Sequence, residues 1–263
     1  MAVIQERIPQ VKQQRPKRKG NRKLVFLLVL FFLTVLIVIF FRSPYSKIHE
    51  VQVYGNDIYE AELIAKTSGV AIGGQILNVW ESSVQENLKP LEGIKQVTIQ
   101  RKFPGVIELH VTEYRRVAFW TGQDGSRYPL LENGIVLKQV DFSQRVVDRP
   151  LISSWSAPEL LPHLAKALAK LSPAILSEIS DIALKPTVYD KQRITLFMRD
   201  GNEVRSVVYK LDKMLKWYPA IVKELPKDTK GVLSLFEQPW FVPYGTPNTP
   251  IPVQTGEEQP KQS

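Results

Sequence analysis

The sequence predicts an α+β protein with a single transmembrane helix near its N-terminus. After that helix we expect a small β-α-α-β-β domain, then a mixed α/β domain rich in antiparallel strands, then a disordered tail. Three features predict this order: an unbroken apolar run near the N-terminus, two blocks of apolar and polar alternation with turn sequences between them, and a proline-rich end. With 263 residues, the chain has room for one large or two modest domains.

The transmembrane helix is predicted over residues 24–41, LVFLLVLFFLTVLIVIFF, which contain no charge and one hydroxyl group. A helix of this length reaches about 27 Å, close to the hydrocarbon thickness of a bilayer. The apolar region of a secretory signal peptide is shorter and precedes a small-residue cleavage site, whereas the sequence FRSPY stands here. We therefore expect a retained membrane anchor.

The distribution of charge predicts the orientation of this helix. The chain has a formal net charge of +9, and residues 1–23 hold eight basic side chains and one acidic side chain. Because positive flanks resist translocation, we expect residues 1–23 to be a cytoplasmic tail and the chain to be a single-pass type II protein of the cell membrane. The rest of the chain is almost neutral, which argues against nucleic-acid binding. The side chains predicted to orient the helix are Arg15, Lys17, Arg18, Lys19, Arg22 and Lys23.

The residue patterns of most catalytic sites are missing from the sequence. Cysteine is absent, which excludes thiol nucleophiles, disulfides and cysteine-ligated metals. The three histidines show no H-x-H or H-E-x-x-H spacing, and no G-x-S-x-G elbow or phosphate-binding glycine loop occurs. We expect no metal, no cofactor, no small-molecule substrate and no enzymatic activity. The alternative is a membrane-tethered peptidoglycan-modifying enzyme, which needs only two carboxylates, and Glu113 and Glu237 are the candidates.

The block after the membrane helix has the predicted order strand, helix, helix, strand, strand. The spacing of Asp57 and Glu60 suits a capping box at the start of the first helix. A Pro-Gly turn joins the last two strands into a hairpin. If both helices cover one face of the sheet, the polar residues of the last strand, Glu108, His110 and Thr112, lie in water.

The hairpin of this block resembles a known family. Residues 101–113, RKFPGVIELHVTE, and residues 115–120, RRVAFW, resemble the second hairpin of a POTRA domain and the crossing into the next domain in the FtsQ/DivIB family of bacterial division proteins. The order of basic tail, membrane helix, small domain and larger β-rich domain is similar too. The resemblance implies a POTRA domain over residues 46–115, a β domain over 116–241 and a disordered tail over 242–263.

The last predicted strand, residues 231–236, has the sequence GVLSLF and is apolar on both faces. Such a strand is either central in its sheet or an edge that can pair with a partner, and the residues themselves leave both options open. Residues 242–263 contain five prolines and no apolar period, so burial would not offset the entropy of ordering them.

The resemblance also implies a function. Proteins of this family are implied to be divisome scaffolds that recruit bitopic DivIC-like and FtsL-like proteins outside the membrane by strand addition, at the division septum. Coupling to septal peptidoglycan synthesis makes septal penicillin-binding proteins further candidate partners. A POTRA protein of transport or assembly is a weaker alternative. The residues implied in partner binding are Val232, Leu233, Leu235, Phe236, Trp240, Phe241 and Tyr244.

Overall fold

The structure is a computed structural model that describes residues 21–122, 124–143, 148–226, 229–236, 238–245 and 251–252. Helix α1 comprises Arg22–Arg42 and has no buried residue. Its 21 residues extend about 31 Å, enough to cross a bilayer, and among the described residues no other helix is long and apolar enough to do so. The predicted span lies within α1. Of the residues predicted to orient the span, Arg22 and Lys23 form the first turn of α1, and the others, Arg15, Lys17, Arg18 and Lys19, lie outside the described residues.

The small domain has the predicted β-α-α-β-β order. Its elements are β1 (Glu50–Tyr54), α2 (Ala61–Thr67), α3 (Glu81–Asn87), β2 (Ile94–Lys102) and β3 (Val106–Glu113). The sheet order is β1-β3-β2, with β3 parallel to β1 and antiparallel to β2. Ile64 of α2 and Val84 of α3 pack with Ile107 and Leu109 of β3 in one core, so both helices lie on the same face of the sheet.

The start of helix α2 corrects the predicted capping box. The Glu113 carboxylate at the end of β3 accepts hydrogen bonds from the backbone N–H groups of Asp57, Ile58 and Tyr59, at 2.8, 2.7 and 3.2 Å. Because a carboxylate from a distant strand binds these amides, the segment forms a turn, and Glu60 becomes the N-cap of a helix that begins at Ala61. Asp57, the predicted N-cap, lies before the helix, and its backbone N–H binds Glu113.

The burial of Glu108 corrects a second expectation. Thr112 is exposed and His110 is half-buried, but Glu108 retains only 4% of its accessible surface. Its carboxylate binds the Lys102 ammonium group at 2.6 Å and lies 3.3 Å from His110 Nε2, whose ring stacks on Tyr54. Around Glu108, the open face of this sheet therefore carries a cluster of charged and aromatic side chains, while Thr98, Gln100 and Thr112 are exposed.

The second domain is built on a nine-stranded sheet. Its elements are β4 (Arg116–Thr121), β5 (Arg127–Leu131), β6 (Leu151–Ser153), α4 (Leu161–Ala169), α5 (Pro173–Glu178), β7 (Ile179–Leu184), β8 (Arg193–Met198), β9 (Glu203–Val207), α6 (Leu211–Met214), α7 (Tyr218–Glu224), β10 (Gly231–Ser234), β11 (Trp240–Pro243) and β12 (Ile251–Pro252). The sheet order is β12-β11-β10-β9-β8-β7-β6-β4-β5. Leu164, Leu211 and Ile221 from the helices share one core with Leu196 and Leu233 from the strands.

The two domains pack directly against each other. Phe119 of β4, Leu131 of β5 and the following Leu137 and Phe142 belong to the same buried cluster as the core of the small domain. At the surface of this junction, the Arg116 guanidinium group binds the Asp57 carboxylate at 2.7 Å.

The C-terminal strands correct the predicted beginning of the tail. The sequence predicts a disordered segment from residue 242 onward, but Val242 and Pro243 belong to β11, and Ile251 and Pro252 pair with that strand. Pairing continues here because β11 lies against β10, which supplies backbone partners. Residues 253–263 lie outside the described residues, and the domain limits 46–115 and 116–241 stay predictions.

Candidate partner-binding surface

Strand β10 is an interior strand, which decides between the two options that its sequence left open. It runs parallel to β9 on one side and antiparallel to β11 on the other. In the β10–β11 register, Leu233 pairs with Phe241, and both side chains are buried beneath the helices. The alternate residues of these strands therefore point to the face that carries no helix, which we call the open face.

Two lateral rows of side chains cross the open face from β8 to β11. Cross-strand pairing aligns Phe197 with Glu203, Glu203 with Val232, and Val232 with Val242. A second row contains Thr195, Arg205, Ser234 and Trp240 in the same strand order. Side chains of both rows line a shallow groove of about 760 Å³, so residues from four strands form one continuous surface.

The C-terminal half of this surface carries aromatic and aliphatic side chains. The Phe236 and Trp240 rings lie 6.1 Å apart, and the Arg193 guanidinium group stacks over Phe236 at 4.8 Å. Three basic residues and one acidic residue also line the groove, namely Lys185, Arg193, Arg205 and Glu203. We refer to the apolar members of the groove, Phe197, Val232, Phe236, Trp240 and Val242, as the apolar patch. A surface of this composition suits an apolar protein segment that carries negative charge.

A buried polar network holds β10 in this position. The Asn202 side chain accepts a hydrogen bond from the Gly231 N–H at 3.0 Å and donates to the Asp200 carboxylate at 3.0 Å. The Tyr218 hydroxyl donates to the same carboxylate at 2.8 Å. Burial, together with this bond, raises the pKa of Tyr218 far above its ordinary value, so the hydroxyl stays protonated and keeps donating.

The outer edge of β11 is covered by a segment of the same chain. Strand β12 is two residues long and pairs antiparallel with β11, placing Ile251 opposite Phe241 and Pro252 opposite Trp240. Proline has no backbone N–H to donate, and short, proline-containing strands at a sheet edge hinder further pairing. Strand β12 therefore shows that the edge of β11 can pair with another strand. The outer edge of β12 itself is poorly suited to pair with a further strand.

The residues predicted to bind a partner divide into two groups. Val232, Phe236, Trp240 and Tyr244 are partly or largely exposed on β10, β11 and the segments next to them. Leu233, Leu235 and Phe241 are buried in the core of the second domain. Their side chains cannot touch a partner while the domain is folded, so we correct the proposed contact set by removing these three residues.

Strands β8 and β9 also contribute to this surface, which the sequence pattern did not predict. Phe197, Arg193 and Arg205 face the same groove as Trp240. One signal was available, since Phe197 occupies an outward position in a strand whose inward residues are Ile194, Leu196 and Met198. The parallel pairing of β9 with β10, which brings these strands together, has no local sequence signal.

Of the two carboxylates considered for catalysis, only Glu113 belongs to the part of the chain that the structure describes. Both oxygens of Glu113 accept backbone hydrogen bonds, which gives this carboxylate a structural role in the turn before α2. Glu237 lies outside the described residues. Within the described part of the chain, no group of three or more histidine, cysteine, aspartate or glutamate side chains could hold a metal ion.

Comparison with known proteins identifies the family of this chain. Residues 46–114 match the FtsQ-type POTRA domain, and residues 118–235 match the C-terminal domain of cell division protein FtsQ/DivIB. The cell division protein DivIB of Brevibacillus brevis is 72% identical over 262 residues, which cover 100% of this chain and 99% of the relative. The chain belongs to the FtsQ/DivIB family. DivIB of Geobacillus kaustophilus is 34% identical over 247 residues, which cover 94% of each chain.

A solved structure of an FtsQ/DivIB relative is also similar in sequence. The major extracytoplasmic domain of the trans isomer of DivIB from Geobacillus stearothermophilus is 33% identical and covers 45% of this chain and 99% of its own, with a TM-score of 0.39. The comparisons confirm the predicted family and its POTRA domain, and they support a role in cell division. One N-terminal apolar helix followed by these domains fits a single-pass membrane protein.

Proposed function

We propose that this FtsQ/DivIB protein is a non-enzymatic scaffold of the division machinery. It binds DivIC-like and FtsL-like bitopic proteins outside the membrane and couples them to septum formation and septal peptidoglycan synthesis, with septal penicillin-binding proteins as further partners. The observation that supports this proposal most directly is the apolar patch, which lies on the helix-free face of the sheet beside its C-terminal edge.

The proposed topology places the patch on the outer side of the membrane. The basic residues before α1 hold the N-terminus in the cytoplasm, and both domains follow α1 in the chain. Partners that each have one membrane helix and an extracellular segment would meet this surface at the division septum. Proteins confined to the cytoplasm would not reach it.

The proposed mode of binding is strand addition at β11. A partner strand takes the place of β12, so that its backbone pairs with β11 and its alternate side chains reach Trp240 and Val242. The rest of the partner segment crosses the open face, where Phe197 and Val232 offer apolar contact. The excess of basic side chains in the groove favours acidic residues in that segment.

Substitution of the exposed aromatic residues tests this mode of binding. We expect Trp240→Asp to weaken binding of the full chain to DivIC-like and FtsL-like proteins by at least about tenfold, the loss typical of a central aromatic contact. Tyr209→Asp is the matched control, since Tyr209 is an exposed aromatic residue of the same domain that lines a separate groove beside α4. Titrations in nanodiscs would measure both affinities, and thermal melting would show that both variants fold.

Unchanged affinity in a folded Trp240→Asp variant would place the partner site elsewhere. A chain that ends at Gly245 lacks β12 and provides a second test. We expect it to bind partners at least as tightly as the full chain, because the β11 edge is already free. Loss of binding in this shortened chain would make β12 part of the site and would contradict its replacement by a partner strand.

A further inference from the structure

The POTRA domain presents a hydrophobic surface beside the C-terminal end of the membrane helix. Phe103, in the turn between β2 and β3, is 56% exposed, and Ile72, in the loop after α2, is 73% exposed. Tyr45, three residues after the end of α1, is also exposed. We call these three residues, Tyr45, Ile72 and Phe103, the tip surface. Large exposed apolar side chains of this kind usually mark a contact with another molecule or with lipid.

The hairpin turn touches the membrane helix directly. The ring of Phe103 lies 6.4 Å from the ring of Phe40 in the last turn of α1. Phe40 precedes the final residue Arg42 by about 3 Å along the helix axis. With Arg42 at the lipid headgroups, Phe40 lies at the boundary of the hydrocarbon. The headgroup layer is about 5–8 Å thick, so a ring this close to Phe40 lies within that layer.

Hydrogen bonds fix the second loop to the same end of α1. The Gln75 side-chain amide donates to the Phe41 carbonyl at 3.1 Å, and two backbone hydrogen bonds of 2.7 and 2.8 Å join Gly73 and Gly74 to Ile48. Ile72 directly precedes this bonded segment. Its position relative to the membrane is therefore set by α1.

The connection between α1 and the domain is short and ordered. Residues Pro44–Ser46 form a 3-10 helical turn, and the buried Ser46 hydroxyl lies 3.1 Å from the Phe41 carbonyl oxygen and 2.9 Å from that of Ser43. The His49 ring lies 3.2 Å from the Pro44 carbonyl oxygen. A connection held in this way leaves the domain little freedom to move away from the bilayer.

We propose that the tip surface rests in the headgroup layer of the outer leaflet of the cell membrane. Aromatic side chains favour this layer, since they combine an apolar ring with polar surroundings. Arg42 and Lys47 are exposed next to the tip surface and carry the charge that lipid phosphates attract. The POTRA domain is then held upright on the bilayer by three contacts in addition to α1. This inference rests on the membrane insertion of α1 that belongs to the proposed function.

Site-specific labelling of the full chain tests the contact. Because the chain contains no cysteine, each introduced thiol is the single labelling site. The test positions are Phe103→Cys and Ile72→Cys, each carrying an environment-sensitive fluorophore in nanodiscs of phosphatidylcholine and phosphatidylglycerol. Tyr54→Cys is the matched control, since Tyr54 is an aromatic residue of the same domain that is 44% exposed and lies about 16 Å further along the sheet. Phe32→Cys reports whether α1 is inserted.

The expected result is quenching by headgroup nitroxides that is several-fold stronger at positions 103 and 72 than at position 54. The Ile72→Cys variant keeps both aromatic residues of the tip surface, so it reports the membrane contact of a tip surface that has lost only Ile72. Equal quenching at positions 103, 72 and 54 would overturn the inference, provided that acyl-chain nitroxides quench position 32. Failure to quench position 32 would instead overturn the membrane insertion of α1, which separates the two proposals.

Discussion

The two sheets of this protein have the same layered construction and opposite chemistry on their open faces. In the POTRA domain, helices cover one face, and the other carries the buried Glu108 carboxylate, which binds both Lys102 and His110. In the second domain, helices again cover one face, and the other carries the apolar patch. A face whose polar groups are already paired gains little from a protein partner, whereas an exposed apolar face gains from burial.

The two domains therefore differ in which surface is available for contact with other molecules. In the proposed arrangement, the POTRA domain pairs the buried charge of its open face internally and contacts the membrane through its end next to α1. The second domain keeps its open face available near the edge of the sheet. The following substitutions test whether the availability of that face depends on the placement of β11, and whether the closed face depends on its ion pair.

The largest loss of stability is expected for Gly231→Ala, which changes the position of β11. A Cβ atom at Gly231 would lie 2.2 Å from the Val242 carbonyl oxygen and 2.8 Å from the Phe241 ring. Since backbone cannot yield as a flexible side chain does, β11 must shift, and we expect a loss of about 3 kcal/mol in the free energy of unfolding. Urea unfolding measures the loss, and amide exchange at Phe241 and Val242 reports the displacement.

Gly125→Ala is the matched control for this substitution. Gly125 has a φ of 82°, and a Cβ atom added there would meet no heavy atom within 4 Å. Alanine at this position therefore adds backbone strain of about 1–2 kcal/mol without a clash. Equal destabilisation by both substitutions, with unchanged exchange in β11, would contradict the close packing of β10 against β11.

An intermediate effect is expected for Asn202→Ala. This substitution leaves the buried Gly231 N–H without its acceptor, which costs about 1–3 kcal/mol in the free energy of unfolding. Tyr218→Phe removes the hydroxyl from the same network but keeps the bond to Gly231, so we expect a loss of about 1 kcal/mol. Denaturant unfolding of both variants would rank them. A greater loss for Tyr218→Phe would show that β10 does not depend on Asn202.

Local patterns predicted most of the architecture. The eighteen-residue apolar run located the membrane helix, and the local patterns of residues located the strand and helix order of the small domain. These features depend on residues close together in the chain, where the side-chain period is set by backbone geometry.

The errors arise where a distant strand decides the outcome. Glu113 binds amides more than fifty residues away, which moved the start of α2. Leu233 and Leu235 were indistinguishable from surface residues in an apolar strand, since their burial depends on which face the helices cover. Only four of the seven predicted contact residues are therefore accessible. Phe197 lies on the same surface because β8 is brought beside these residues by strand pairing.

The smallest effect on stability is expected for Glu108→Gln, and this effect depends on pH. The hydrogen bond from Lys102, followed by that from His110, lowers the pKa of Glu108 below its ordinary value of 4.5. A lowered pKa in the folded state means that the charged carboxylate stabilises the fold above the ordinary pKa, and that this stabilisation is lost as the pH falls through the lowered value. We expect wild type to be more stable than Glu108→Gln at neutral pH, and the difference to shrink below pH 4.5.

Glu86→Gln is the matched control for the acid experiment, since Lys89 binds Glu86 at the same 2.6 Å but both side chains are about two-thirds exposed. Exposed pairs contribute about 0–1 kcal/mol, so this variant should remain close to wild type throughout. Thermal melting from neutral to acid pH compares the three proteins. A Glu108→Gln profile that parallels the control would mean that the POTRA face is closed by packing and not by its ion pair.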